Sequence, residues 1–97
     1  MATFMIRVEL HSATYPDYVQ LAKALAAQNV IDTIKGDNGL WYKLPPAEYQ
    51  CIANLTPEAV RQIVATAAAT TGKTYAIVVT QSAGMSWSGL EAVKSTS

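Results

Sequence analysis

Hydrophobic and polar residues alternate at the start of the chain. Phe4, Ile6, Val8 and Leu10 fall on one side, and Thr3, Met5, Arg7 and Glu9 on the other. A period of two predicts a half-buried strand over 3–10. His11 to Tyr15 reads as a loop. The spacing then changes to 3.6, with Tyr18, Leu21, Ala22, Leu25 and Ala26 on one face, which predicts a helix over 16–28. Thr14 suits its N-cap, Pro16 its first turn, and Asp17 the positive end of its dipole. Asn29 suits the left-handed residue that often ends a helix.

Val30 to Lys35 is β-branched and alternating, Gly36-Asp37-Asn38-Gly39 is a strong turn signal, and Leu40 to Leu44 resumes an extended pattern. Residues 30–44 therefore read as a β-hairpin. Pro45-Pro46 stops it, because neither residue can donate to a ladder. Tyr49 to Ala53 is a weaker extended segment, either a continuation of the hairpin or an edge strand. Thr56-Pro57-Glu58 starts a second helix over 57–71, and Gly72 ends it. Thr74 to Gln81 is the most strand-like run. Ser82-Ala83-Gly84 turns the chain, Met85 to Leu90 is expected to add a short strand carrying Trp87, and 91–97 reads as a frayed tail. The order β-α-β-β-α-β predicts one ferredoxin-like α+β domain over 1–90. Its strands are near 3–10, 30–35, 40–44 and 74–81, in a four-stranded antiparallel sheet with two helices on one face. Leu21, Leu25, Ile63 and Val64 are expected to pack the helices onto the sheet.

Composition narrows the chemistry. Seven Lys/Arg balance seven Asp/Glu over 97 residues, which excludes a general electrostatic nucleic-acid binder but not a local basic patch. A single cysteine, Cys51, and a single histidine, His11, give no metal-ligand spacing and no internal disulfide. Arg7 and Glu9 interrupt the first apolar run, so it is not read as a signal peptide. No apolar run approaches a bilayer span, and the expected location is the cytoplasm. There is no phosphate-binding glycine motif. Ser82, Ser86 and Ser88 have no nearby histidine for a hydrolase triad.

Four stretches are similar to one small bacterial family. They are Val8-Glu9-Leu10-His11, Leu44-Pro45-Pro46-Ala47-Glu48-Tyr49, Asn54-Leu55-Thr56, and Val79 to Gly84 with Trp87 and Gly89-Leu90 behind it. Together they resemble the GhoS-like family, formerly a domain of unknown function, over about Thr3 to Leu90. Its named member is the antitoxin of a type V toxin–antitoxin system. The resemblance implies a ferredoxin-like fold similar to the small CRISPR-associated endoribonucleases. It also implies cleavage of single-stranded RNA, the messenger of a membrane-damaging toxin.

On that resemblance Glu9 is the nearest match to a carboxylate that takes part in metal-assisted RNA cleavage at the end of the first strand. It is Glu rather than Asp, and no second carboxylate completes a cage in sequence; Asp17 is a partner only if the helix start folds back. Mg²⁺ is the cofactor such a route would use. The plainer reading of Glu9 is a solvated charge opposite Arg7 or Lys43. His11 is a candidate general base for attack by a ribose 2′-hydroxyl, and otherwise an exposed loop histidine. Arg7, Lys43 and Lys73 are candidate phosphate cations. Trp41, Tyr42 and Tyr49, interleaved with Lys35 and Lys43, are candidate base-stacking groups; the plainer reading has Tyr42 in the core and Trp41 in a dimer contact or covering the sheet. Cys51 reads as a small buried residue. Met5, Trp41 and Val78 on an uncovered sheet face suggest a homodimer, through that face or an edge strand. The alternative function is a non-catalytic binding or assembly module.

Overall fold

The computed structural model describes residues 1–93. They form β1 (Ala2–Leu10), α1 (Tyr15–Ala26), β2 (Thr33–Lys35), β3 (Trp41–Lys43), β4 (Glu48–Ala53), α2 (Pro57–Ala69) and β5 (Tyr75–Gln81). This is a small α+β fold with two helices and antiparallel sheets.

β1 sits between β4 and β5 and runs antiparallel to both. Its backbone groups alternate between the two neighbours. Val8 N–H donates to the Ala47 carbonyl at 3.1 Å on one side, and His11 N–H to the Thr74 carbonyl at 2.9 Å on the other. The alternation in sequence becomes an alternation in burial. Phe4, Ile6, Val8 and Leu10 are buried, while Arg7 and Glu9 are exposed. Leu21 and Leu25 of α1 and Val60, Val64, Ala67 and Ala68 of α2 belong to the same core as the even residues of β1. The small Ala67 and Ala68 let α2 approach closely. Ile63, expected in that core, is only half-buried.

Local signals end the helices where they should. The Asp17 carboxylate accepts from the Thr14 N–H at 2.9 Å and from its hydroxyl at 3.2 Å, and Asp17 N–H donates back to the Thr14 carbonyl. After α1, Asn29 takes φ 61°; its N–H donates to the Ala26 carbonyl and that of Val30 to the Leu25 carbonyl. This paired closure joins Leu25 and Val30 in the core and turns the chain. At α2, the Thr56 hydroxyl accepts from the Ala59 N–H at 3.1 Å, and Gly72 with φ 74° ends the following turn. The helices span Tyr15–Ala26 and Pro57–Ala69, about two residues short of the expected C-terminal ends.

The sheet differs from the expected four strands. It has three, β4-β1-β5, and the hairpin β2-β3 is a separate two-stranded sheet. The segment 30–35 was expected to be one strand, but only Thr33–Lys35 pairs with β3. Ile31 instead makes an isolated bridge to Gln50 of β4, with both backbone bonds present. The chain thus splits its pairing between two partners within three residues. The weakly signalled segment near 49–53 is the strand that flanks β1. Its polar Glu48 and Gln50 obscured it. Gln50 is buried, and its side-chain Nε2 donates to the Thr33 carbonyl at 3.0 Å, so the polar group is satisfied inside.

Residues 85–90 form no strand. They lie over the helix-free face of the sheet, where Met85, Trp87 and Leu90 line an open hollow of about 450 Å³ with Met5, Arg7 and Val78. Residues 91–93, expected to be frayed, pair with β3: Lys43 N–H donates to the Glu91 carbonyl and Val93 N–H to the Trp41 carbonyl. The remainder of the expected tail, 94–97, lies outside the described residues. Phe4→Ala is expected to cost about 3–5 kcal/mol in urea unfolding, because its ring is fully buried between sheet and helices. Ile52→Ala, on an exposed position of β4, is expected to stay within about 0.5 kcal/mol.

Candidate nucleic-acid interface

The odd residues of β1 place Arg7 and Glu9 in a row up the middle of the helix-free face. His11 follows directly, because its N–H still belongs to the ladder with Thr74. The His11 Nδ1 lies 3.9 Å from Glu9 Oε1, and both side chains are well exposed. The two candidate catalytic residues are therefore neighbours. Ser12, with φ 53°, then turns the chain toward α1.

Arg7 is the hub of the surface around them. Its Nη1 is 3.3 Å from Glu48 Oε1 in a cross-strand pair with β4. This pair is solvent-exposed, so it is weak and easily rearranged. Arg7 and Lys43 line one groove of about 590 Å³ with Tyr15, Tyr18 and Asp32. Arg7, Tyr18 and Ala47 also border a smaller hollow that Glu9 lines. Tyr18 fixes the wall of both: its hydroxyl accepts from the Leu10 N–H at 3.1 Å, holding α1 against the end of β1. Tyr15 stands at the groove and is 82% exposed, and nothing in the core accounts for it.

The other candidates lie apart. Lys73 Nζ is 3.9 Å from Asp17 Oδ2, at the start of α1. Trp41 and Lys35 face each other in the hairpin register, and neither lines the groove with Arg7 and Lys43. Tyr42 is half-buried, with its ring 6.3 Å from that of Trp87 and its hydroxyl accepting from Asn38 Nδ2 at 2.9 Å. Tyr49 is buried. Of the aromatics proposed from sequence, only Trp41 is therefore widely accessible, and it lies in the hairpin, outside the groove that Arg7 and Lys43 line. Tyr15 and Trp87 are the exposed aromatics that line cavities with Arg7. Sequence spacing did not signal Tyr15, because it precedes the helical repeat.

The donors do not suit a metal cage. Among the described residues no three His, Cys, Asp or Glu side chains gather. Asp17, the second carboxylate considered, is occupied by Thr14 and Lys73. The Cys51 thiol is buried, and burial pushes its pKa up, which disfavours the reactive thiolate. Burial likewise raises the Tyr49 phenol, with the Asp32 charge adding to the effect. Among the described residues no helix is long and apolar enough to cross a membrane. Comparison with protein-family models finds no match for this chain, and comparison with curated proteins finds none either.

Asp17 has the clearest electrostatic role in this region. The Thr14 N–H holds its carboxyl below the usual carboxylate range, and the Thr14 hydroxyl and Lys73 act in the same direction against a desolvation that opposes them. A depressed folded-state pKa gives stability that is complete above the unfolded value, about 3.9, and is lost as pH falls through the lower folded value. Asp17→Asn is therefore expected to melt below wild type at neutral pH. The two melting temperatures should converge as the pH drops below about 3.9, in a pH series followed by circular dichroism.

Proposed function

We propose that this chain is a GhoS-like, RNA-binding antitoxin-type protein that cuts single-stranded RNA without a metal ion. The supporting observation is the groove that Arg7 and Lys43 line beside the exposed Tyr15; Arg7 and Tyr18 also border the hollow lined by Glu9, whose carboxylate lies 3.9 Å from His11. A backbone phosphate meets two cations there, and an unpaired base meets a free aromatic face. The ferredoxin-like arrangement suggested by the resemblance fits an order in which Ile31 stands, as a single bridge, in the place of the fourth strand beside β4.

In this reading the His11 imidazole takes the proton of a ribose 2′-hydroxyl. The 2′-oxygen attacks the adjacent phosphorus, and the 5′-oxygen leaves after receiving a proton from solvent. The products are a 2′,3′-cyclic phosphate and a 5′-hydroxyl. Glu9 stabilises the imidazolium that forms, and Arg7 steadies the phosphoryl oxygens once it turns from Glu48. No step is routed through Mg²⁺, since the donors near Glu9 do not assemble to hold it.

The second reading is a non-catalytic binding or assembly module. It is favoured by the pairing of cations with anions, Arg7 with Glu48 and Lys73 with Asp17, in a chain with no net charge. The two separate in a cleavage assay on single-stranded RNA. Under the first, wild type cuts, a chelator has no effect, and His11→Ala loses at least a factor of about 100. Arg7→Ala and Lys43→Ala weaken binding and flatten its salt dependence. RNA that stays intact with pure wild type, or is cut equally fast by His11→Ala, removes the catalytic assignment. Loss on chelation together with loss in Glu9→Gln would restore the metal-assisted route.

A further inference from the structure

The two edges of the three-stranded sheet are treated differently. Beyond β4, the Ile31 bridge and the Gln50 amide on the Thr33 carbonyl occupy the edge. The outer edge of the hairpin strand β3 is taken by residues 91–93. Among the described residues, nothing covers the edge of β5 in this way. Its seven residues, Tyr-Ala-Ile-Val-Val-Thr-Gln, contain no charge and no proline. Both are common means of protecting an edge from pairing. Residues 85–90 make no backbone bond to it; they line a cavity over the sheet face with Leu44, Pro45, Glu48, Val78 and Thr80.

The phase of the ladder identifies the bare groups. Ser82 N–H donates to Thr3, and His11 N–H donates to Thr74. With the register between them, Thr80, Val78 and Ala76 bond inward to Met5, Arg7 and Glu9. The N–H and C=O groups of Tyr75, Ile77, Val79 and Gln81 therefore point away from β1. Among the described residues no backbone group outside the strands bonds to them.

We propose that this edge pairs with the same edge of a second copy of the chain, antiparallel about a twofold axis at Val78. The row of donors and acceptors is complementary to itself in that register. Ile77 meets the partner's Val79, Val79 meets the partner's Ile77, and Tyr75 and Gln81 meet across the ends, so every outward group finds a partner. Val78 faces the partner's Val78 in a non-bonded pair, with Cα atoms about 4.5 Å apart. No like charges are opposed, which a self-pairing strand must avoid. Val78 is 63% exposed in the single chain, and the pairing covers it with its own copy. The two sheets become one of six strands. This interface does not depend on the RNA reading, and its test involves no RNA.

Light scattering on the full chain should give twice 10.4 kDa. Val78→Lys and Val78→Glu, each placing like charges at the axis, should each give the single mass with unchanged circular dichroism, and mixing them should restore the double mass. Oxidised Val78→Cys should form a covalent dimer, because that residue opposes itself. Thr80→Cys should not, because it opposes the partner's Ala76. A wild type of single mass up to its solubility limit overturns the proposal. So does a dimer that survives Val78→Lys, or one in which Val78→Cys fails to cross-link.

Discussion

The structure depends on one strand that is hydrogen-bonded along both edges and buried on one face only. β1 supplies Phe4, Ile6, Val8 and Leu10 to the core and leaves Arg7 and Glu9 in water. A shift of one residue in its register would exchange these two sets, placing charges beneath the helices and a phenylalanine in solvent. That penalty fixes β4 and β5 in register on either side. Through Tyr49, Cys51, Ile77 and Val79, it also fixes the surface on which both helices rest. The chemistry follows from the same alternation, since Arg7 and Glu9 share a face only because the core claims the residues between them.

Elements whose stability is local were legible in the sequence. The capped helices, the Asn29 and Gly72 closures, the Gly36–Gly39 turn and the alternation of β1 and β5 are each set by residues close in the chain. Elements set by distant partners were not. β4 carries Glu48 and Gln50 where a strand signal expects apolar residues. It is a strand because β1 pairs with it and because Thr33 satisfies the Gln50 amide. Residues 91–93 have no strand pattern of their own and are ordered by the edge of β3. The segment 30–35 reads as one strand because its alternation continues through Asp32, where the structure changes partners.

The candidate site was legible in part for the same reason. Arg7, Glu9 and His11 follow one another on a single strand, so their proximity is local. The convergence of Lys43 with Arg7 is not, because it depends on how the hairpin leans against the end of β4. Tyr15 was overlooked because nothing in its own segment marks it; only the groove gives it a neighbour of opposite character. Lys73 and Trp41 were plausible by residue type, and the fold carried one to the helix cap and the other into the hairpin.

The pairing of Phe4 with Gln81 joins positions near opposite ends of the described chain. During synthesis, β1 leaves the ribosome before β4 and β5. The central strand of the sheet therefore has neither edge satisfied until β4 emerges, and only one until β5 follows. Its closure is a long-range event, of the kind that slows folding. In this protein the segment that organises the core is also the one most in need of protection before the core exists.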